Sequence, residues 1–278
     1  MPRRLAVLGS PIHHSRSPRI HAAAYAVLGL DWSYEAIERT EPELEGFLGS
    51  RGDEWLGFSL TMPLKSEGRR IARELDPVAV ESGVVNTLRK LPEGAWAGYN
   101  TDVAGLAAAI RKAELDVTST WVIGSGATAV SAIMAARSLG ARHVEVVARN
   151  VQAVSDLVAR FGGEGRGLHM SGTPLERASA SLRSASRPTL VISTLPGPAA
   201  ATIALSGELM QVPLFDVAYD PWPSPLAERW RAAGGVATPG TEMLVEQALV
   251  QVRIFTSGDP ELPLDREEAV LAAMRAAV

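Results

Sequence analysis

The sequence predicts an α/β protein with two domains, and three observations support this prediction. Short apolar runs alternate with helix-start signals over the first hundred residues, a pattern typical of alternating strands and helices. A second strand–turn–helix pattern begins at Thr120, after the polar stretch 116–119. The chain has 278 residues, which is enough for two separate hydrophobic cores.

The elements of the first hundred residues follow from these apolar runs and from the residues that interrupt them. Three runs predict strands of a mostly parallel sheet: 5–8, 32–37 and 56–60. Helices are predicted to begin at three points: near Ser17, near Pro42 and after Pro63. The runs 84–88 and 95–99 predict a hairpin across Lys90–Gly94, and a further helix should begin near Asp102.

The second half of the chain repeats the alternation. Its predicted strands are 120–123, 144–148, 190–193 and 213–217. Two last helices are predicted at 241–256 and 265–277, after Pro239-Gly240. We expect both helices to pack back on the N-terminal domain, which makes that domain discontinuous. The predicted domains are therefore 1–103 with 239–278, and 104–238.

Composition excludes several classes of function. The chain is 46% hydrophobic and 21% charged, as in ordinary globular proteins, and its net charge of −4 argues against nucleic-acid binding. It contains no cysteine, which excludes disulfides, thiolate metal sites and a cysteine nucleophile. No apolar run approaches the ~20 residues of a membrane helix, and Met1-Pro2-Arg3-Arg4 begins no secretion signal. We expect a cytoplasmic protein with no membrane partner.

A glycine-rich turn in the second half indicates a cofactor site. Gly124-Ser125-Gly126-Ala127-Thr128-Ala129 lies between an apolar strand and an alanine-rich helix. This is the context of the dinucleotide-binding fingerprint, in which glycines allow a pyrophosphate to approach the amide groups at a helix N-terminus. The second domain is therefore predicted to be a Rossmann-type, doubly wound domain.

The residues that end the next strand favour NADP over NAD. An NAD enzyme usually has an acidic residue about twenty positions after the glycines, to bind the ribose hydroxyls. Here Arg149-Asn150 occupies that place, and a guanidinium suits a 2′-phosphate. A surface arginine without a ligand is the alternative interpretation.

Polar residues at predicted strand-to-helix turns indicate a second site in the first domain. Ser15 and Ser17 can hold a carboxylate or a polyhydroxylated ligand. Lys65 is the candidate proton carrier for a hydride-transfer reaction, and Asp102 is the carboxylate that would fix its ammonium. Asn86 could serve substrate hydroxyls as a neutral partner. Together with the cofactor turn, these residues predict a dehydrogenase.

Each of these residues also has a purely structural interpretation. Lys65 can be a solvated lysine on a helix, and Asp102 or Thr101 can simply cap the helix that follows. Ser17 before a proline is typical of a helix N-cap, and Asn100 of a turn. The histidines near Ser15 share no metal-ligand spacing with acidic residues, so no metal site is predicted.

In order along nearly the whole chain, these segments resemble the shikimate dehydrogenase family. The resemblance is carried by six blocks: Gly9-Ser10-Pro11-Ile12-x-His14-Ser15-x-Ser17-Pro18-x-Ile20-His21, Thr61-Met62-Pro63-Leu64-Lys65, Gly83-Val84-Val85-Asn86-Thr87, Asn100-Thr101-Asp102, Asp216-Val217-Ala218-Tyr219 and Gly240-x-x-Met243-Leu244-Val245-x-Gln247-Ala248.

The resemblance implies a role for each matching residue. Lys65 would be the catalytic acid/base, paired with Asp102. Ser15 and Ser17 would hold the shikimate carboxylate. The remaining substrate contacts would come from Thr61, Asn86, Asp102, Tyr219 and Gln247. The cofactor contacts would come from Gly124, Ser125, Gly126, Ala127, Thr128, Arg149, Asn150, Val217 and Gly240.

The chain departs from the family pattern at a few positions. Ser59 stands where the family usually has asparagine, and Val103 replaces a common glycine. Ala127-Thr128 replaces a frequent Gly-Ala pair, and Ala153 stands where a second basic residue is often found. The prediction of NADP binding therefore depends mainly on Arg149.

The implied activity is the NADP-dependent reduction of 3-dehydroshikimate to shikimate, in the chorismate route to aromatic amino acids. The expected partners are small molecules, and the expected assembly is a monomer or a homodimer. Three alternatives stay open at this point. They are a quinate/shikimate dehydrogenase that uses NAD, a non-catalytic NADP-responsive module, and a methylene-tetrahydrofolate-type dehydrogenase with the same two-domain layout.

Overall fold

A computed structural model describes residues 3–163, 167–178 and 187–278. Met1 and Pro2, on which the prediction about a secretion signal partly depends, lie outside the described residues. The described residues form twelve strands, which are β1 (Arg3–Gly9), β2 (Trp32–Glu38), β3 (Trp55–Leu60), β4 (Glu74–Leu75), β5 (Thr87–Lys90), β6 (Trp96–Tyr99), β7 (Ser119–Ile123), β8 (His143–Ala148), β9 (His169–Pro174), β10 (Leu190–Ser193), β11 (Leu214–Asp216) and β12 (Ala237–Pro239).

The α-helices alternate with these strands in both halves of the chain. They are α1 (Ser17–Leu28), α2 (Glu41–Gly49), α3 (Lys65–Ile71), α4 (Pro77–Ser82), α5 (Asp102–Lys112), α6 (Ala127–Ser138), α7 (Val151–Phe161), α8 (Gly197–Ala201), α9 (Pro225–Ala232), α10 (Thr241–Ser257) and α11 (Glu267–Ala276). None of the helices in the described ranges is long and apolar enough to cross a membrane.

The first sheet has six strands in the order β2-β1-β3-β5-β6-β4. Strands β1, β2 and β3 are parallel, and β5 is antiparallel to both β3 and β6. The predicted hairpin is therefore present, although its first strand begins at Thr87 rather than at Val84. The amide of Val85 instead donates to the carbonyl of Lys65, which holds this segment against the start of α3.

The second sheet is parallel throughout, with the order β12-β11-β10-β7-β8-β9. Counted along the chain, this is the 3-2-1-4-5-6 order of a doubly wound dinucleotide-binding fold. The order reverses between β7 and β10. Ligands bind at such a reversal, outside the carboxyl ends of the strands, and the glycine turn follows β7.

The contacts divide the chain into two compact units. One unit comprises the chain up to Gly105 together with Leu244–Val278, and the other comprises Leu106–Met243. In the first unit, residues from α10 and α11 share a core cluster with β1 and α1. The cluster includes Leu5, Ile20, Val245, Val252, Phe255 and Val270. The division falls within α5 and α10, two residues after the first boundary predicted from the sequence and five residues after the second.

Candidate active site

A buried ion pair lies at the centre of the first unit's polar cluster. The Nζ atom of Lys65 is 2.5 Å from Oδ2 of Asp102, and the two side chains are 14% and 7% exposed. Lys65 is the first residue of α3, and Asp102 is the first residue of α5. The solvated-lysine interpretation of Lys65 is therefore wrong.

Asp102 is the first residue of α5, and both of its carboxylate oxygens accept hydrogen bonds from side chains. Its second oxygen, Oδ1, accepts from Nδ2 of Asn86 at 2.8 Å. The backbone amide of Asp102 donates to Oδ1 of Asn100 at 3.0 Å, which closes the turn that leads into α5. The carboxylate of Asp102 is thus left to hold Lys65.

The turns that follow β1 and β3 meet at one edge of the first sheet. The amide of Thr61 donates to the carbonyl of Leu8, and the amide of Ser10 donates to the carbonyl of Met62. A Cβ atom added to Gly9 would collide with Cγ2 of Thr61. Only glycine allows this approach, which fixes the half-buried Thr61 beside the serine-bearing turn.

Ser15 and Ser17 lie in that turn, at the start of α1. Ser17 is buried, and its amide donates to Oγ of Ser15 at 3.3 Å. The N-cap position belongs to Arg16, and Ser17 is the first residue of the helix. The hydroxyl of Ser17 therefore does not cap α1. Among the described residues, no direct hydrogen bond joins either serine to the Lys65–Asp102 pair.

Gln247, on α10, joins the same polar cluster. Its Oε1 accepts from Oγ1 of Thr101 at 3.3 Å, and Thr101 precedes Asp102 in the chain. A Cβ atom on Gly105 would lie 2.6 Å from the backbone nitrogen of Gln247. The close packing of α5 on α10 thus requires glycine at position 105, and it sets the distance of Gln247 from Asp102.

Sequence reasoning missed a buried layer of polar groups beneath the ion pair. Gln251 is 2% exposed, and its Oε1 accepts from Oγ of Ser59 at 2.8 Å. Ser59 accepts in turn from the hydroxyl of Tyr34 at 2.6 Å. One signal was available in the sequence, because Gln251 follows Gln247 by four residues and so lies on the same helix face.

His21 is the ionisable imidazole of this layer. It is fully buried and stacks on the ring of Tyr34, with 3.9 Å between centroids. Burial lowers the pKa of His21 to about 3, opposed by a hydrogen bond with Gln251. Since Oε1 of Gln251 can only accept, the 3.2 Å contact makes Nε2 of His21 the protonated nitrogen. His21 is therefore neutral at physiological pH.

His21 predicts a pH dependence of stability. Below about pH 6.5 the unfolded chain binds a proton at this residue, whereas the folded chain stays neutral until about pH 3. Lowering the pH from 7 to 5 should therefore cost about 2 kcal/mol of unfolding free energy through His21 alone. H21Q should remove this loss, measured by urea denaturation at both pH values. The exposed His13 provides the control H13Q, which should keep the loss, and equal pH slopes in H21Q and the unmodified chain would contradict the prediction.

The predicted cofactor turn lies between β7 and α6 of the second unit. Gly124 has a φ of +127°, and a Cβ atom there would collide with Oγ1 of Thr194. Gly126 is the N-cap of α6, and a Cβ atom there would meet nothing within 4 Å. The backbone at Gly126 is thus open to a ligand. The amides of Ala127 and Thr128 belong to the first turn of α6, where no intrahelical partner exists.

A cavity of about 450 Å³ adjoins this turn. Its polar lining comes from Ser125, Arg149 and Asn150, and its apolar lining includes Leu175, Leu195 and Ile203. Asn150 also caps α7, because its Oδ1 accepts from the amide of Ala153 at 3.1 Å. Open amides, an exposed cation and an apolar wall fit the phosphates and the adenine of a dinucleotide.

The segment after β11 approaches the end of β12 within the same unit. A Cβ atom on Gly240 would overlap the carbonyl oxygen of Val217, and the amide of Gly240 donates to the carbonyl of Ala218 at 3.1 Å. Tyr219 is half-buried in this segment. The structure thus brings Val217 and Gly240, both predicted to contact the cofactor, into direct contact with each other.

Residues 3–163, 167–178 and 187–278 contain no group of three or more His, Asp or Glu side chains arranged to hold a metal ion. The second unit presents its glycine turn at the switch point of a parallel sheet, and the first unit presents a buried lysine–carboxylate pair at a sheet edge. This combination defines the class of dinucleotide-dependent oxidoreductases.

Comparison with known proteins identifies the family. The model of the shikimate dehydrogenase substrate binding domain matches residues 7–88. The shikimate dehydrogenase (NADP(+)) of Prochlorococcus marinus strain AS9601 is 30% identical over 268 residues, which cover 91% of this chain and 92% of that protein.

Two crystal structures extend the comparison to the whole fold. Mycobacterium tuberculosis shikimate dehydrogenase is 39% identical, with a TM-score of 0.83 over 99% of this chain and all of that one. Shikimate 5-dehydrogenase from Thermus thermophilus, in complex with NADP(H) and shikimate, is 28% identical with a TM-score of 0.79 over 99% of this chain and all of that one. The chain belongs to the shikimate dehydrogenase family. The predictions of family, fold class and enzyme class are confirmed.

Proposed function

We propose that this chain is an NADP-dependent shikimate dehydrogenase, which reduces 3-dehydroshikimate to shikimate and supplies chorismate and aromatic amino acid synthesis. The observation that carries the proposal is the buried pair of Lys65 and Asp102, with 2.5 Å between Nζ and Oδ2. A ketone reduction needs a proton donor beside the carbonyl oxygen, and the ammonium of Lys65 is held in place for that task.

In this proposal, one domain binds the substrate and the other binds the cofactor. Residues 1–103 with 239–278 hold the substrate, and residues 104–238 hold NADP. The match of residues 7–88 to a substrate binding domain supports the first assignment. The open amides at Gly126 and the cavity beside Arg149 support the second.

When bound, NADPH supplies a hydride to the ketone carbon, and the remaining chemistry falls to residues of the chain. Nζ of Lys65 donates a proton to the carbonyl oxygen, so the C=O group becomes CH–OH and the lysine is left neutral until solvent reprotonates it. Asp102 holds Lys65 in position, since its Oδ2 accepts from Nζ of Lys65 while its Oδ1 accepts from Nδ2 of Asn86. In the reverse direction, the neutral lysine accepts the proton of the substrate hydroxyl.

The remaining polar residues of the first unit would bind and orient the substrate. Ser15 and Ser17 offer hydroxyls at a helix N-terminus, where a carboxylate is favoured by the helix dipole. Thr61 lies beside that turn and Gln247 lies beside Thr101, so both can reach substrate hydroxyls. In the second unit, Tyr219 is proposed as a further substrate contact.

The test of this proposal is a rate assay with purified protein. Shikimate and quinate are each combined with NADP⁺ and NAD⁺, and the absorbance of the reduced nicotinamide is followed. We expect the highest kcat/KM with shikimate and NADP⁺. Faster turnover of quinate with NAD⁺ would replace the proposal with a quinate/shikimate dehydrogenase. Cofactor binding without turnover of either acid would indicate a non-catalytic module.

Arg149 should govern the choice between the two cofactors. R149A should raise the KM for NADPH about tenfold to a hundredfold, because it removes charge-assisted hydrogen bonds to the 2′-phosphate, and it should hardly change the KM for NADH. The control is R142A, which changes an exposed arginine just before β8, whereas Arg149 follows that strand. Equal losses for NADPH and NADH in R149A would reject the role of Arg149.

Two narrower expectations accompany the proposal. We propose that the chain acts as a monomer or a homodimer, which light scattering after size exclusion measures directly. We also propose that it works in the cytoplasm, which fractionation of the source cells tests.

A further inference from the structure

A chain of buried hydrogen bonds connects Gln251, on α10, to the Lys65–Asp102 pair, and the donor and acceptor of each bond can be assigned. Both ends of the Gln251 amide are engaged. Its Oε1 accepts from Ser59 Oγ at 2.8 Å, and its Nε2 donates to Thr87 Oγ1 at 2.9 Å. Nε2 also donates to the backbone carbonyl oxygen of Asn86 at 3.5 Å, and because a carbonyl oxygen can only accept, this contact sets the orientation of the Gln251 amide.

The hydroxyl of Thr87 links the amide of Gln251 to the amide of Asn86. Having accepted from Gln251, the hydroxyl places its own hydrogen on Oδ1 of Asn86, at 2.9 Å. The amide of Thr101 donates to the same oxygen, also at 2.9 Å. Oδ1 of Asn86 is therefore held toward Thr87, and Nδ2 must face Asp102, to which it donates at 2.8 Å.

We propose that Gln251 is a positioning residue for the reaction, which acts through Thr87 and Asn86 to hold the carboxylate of Asp102 against Lys65. The inference rests on the proposed function of the Lys65–Asp102 pair. A reversed amide at Asn86 would set its oxygen against Oδ1 of Asp102, and two acceptors would then face each other. Gln251 opposes this reversal because its Nε2 donates a hydrogen bond to Oγ1 of Thr87. The hydroxyl hydrogen of Thr87 then points away from Gln251 and toward Oδ1 of Asn86.

The groups around Gln251 keep this connection neutral near physiological pH. The titratable side chains that face it are His21, directly, and Tyr34, through Ser59. Burial lowers the pKa of His21 to about 3 and raises the pKa of Tyr34 far above neutrality. Lys65 and Asp102 are the nearest charged groups along the hydrogen-bonded chain, and they are present unchanged in every variant of Gln251.

Two variants of Gln251 separate donation from packing. Q251M keeps the length of the side chain but neither donates nor accepts through an amide, and we expect it to lower kcat about tenfold with a smaller change in the KM for shikimate. Q251E restores one donor and one acceptor while its carboxyl is protonated, and it loses the donor when the carboxyl ionises. A buried glutamic acid can titrate between about pH 6 and pH 9.

The expected signature is therefore a ratio of rates that depends on pH. The kcat of Q251E relative to the unmodified chain should fall as the pH rises across this range, whereas the ratio for Q251M should stay constant. The matched control is V252A, which truncates a buried residue of the apolar core cluster next along α10 and removes no hydrogen-bonding group. It should lower the melting temperature and leave kcat unchanged.

A second measurement does not depend on turnover. In ¹⁵N-labelled protein, the side-chain amide signals of Asn86, assigned by their loss in N86D, should move in Q251M and stay in place in V252A. Unmoved signals in Q251M would overturn the inference, and so would a kcat in Q251M equal to that of the unmodified chain or lowered equally in V252A. An unmodified chain inactive on shikimate would instead count against the proposed function, and the amide signals would still decide the role of Gln251.

Discussion

K65A should lower kcat for shikimate oxidation by about 10²- to 10⁴-fold, the usual contribution of a positioned acid/base group. The KM for shikimate should change less, because the lost interaction is a proton transfer made in the transition state. We expect this because the side chain of Lys65 is only 14% exposed and its Nζ atom is 2.5 Å from a carboxylate oxygen of Asp102. Rates with saturating NADP⁺ measure the effect.

A second substitution at the same position separates charge from proton transfer. Arginine keeps a cation beside Asp102 but does not deprotonate in proteins, so K65R should be nearly as slow as K65A. The control is K112M at the far end of α5, where Lys112 pairs with Glu242 on the protein surface. That variant should keep its rate, and near-normal turnover in K65A would discard Lys65 as the proton carrier.

D102N should lower kcat by about 10²- to 10³-fold, because the ammonium of Lys65 loses the carboxylate that fixes its position beside the substrate. Asparagine offers one acceptor oxygen, whereas Asp102 accepts from both Lys65 and Asn86. The NH₂ group of the variant must therefore face a donor on one side. Lys65 would lose its anchor or Asn86 its partner.

A double variant tests whether the two residues act as one unit. The pair K65A/D102N should be no slower than K65A alone, because the carboxylate acts through the lysine that is already absent. Multiplied losses in the double variant would show that Asp102 acts separately from Lys65. D156N changes an exposed aspartate on α7 and should leave kcat unaltered.

The interior strands of both sheets and the end strand β2 were predictable from the sequence, whereas the other three end strands were not. Strands such as β7 and β10 are short apolar runs that are buried almost completely. The three missed strands are β4, β9 and β12, and each lies at the end of a sheet. Strand β9 contains Gly172 and Pro174 and is only partly buried. A strand paired on one side needs fewer apolar residues, so its pattern is weak.

The candidate site divides in the same way. Lys65 and Asp102 carried a recognisable chemical pattern, and their pairing was predicted although 37 positions separate them. The contacts of Gly9 with Thr61 and of Gly105 with Gln247 depend on the approach of distant backbones, which no local pattern encodes. Gln251 was missed because a glutamine within a helix is ordinary until its buried partners are known.

The division of the chain has a consequence for its synthesis. The core of the first unit needs Val245, Val252 and Phe255, which leave the ribosome only after the entire second unit. The second unit can therefore fold first during synthesis. Until α10 has been made, the apolar side chains of β1 and its neighbours stay exposed to solvent. A chain truncated before Leu244 would have a folded second unit and a first unit that lacks part of its hydrophobic core. We expect such a product to be bound by chaperones and degraded by proteases.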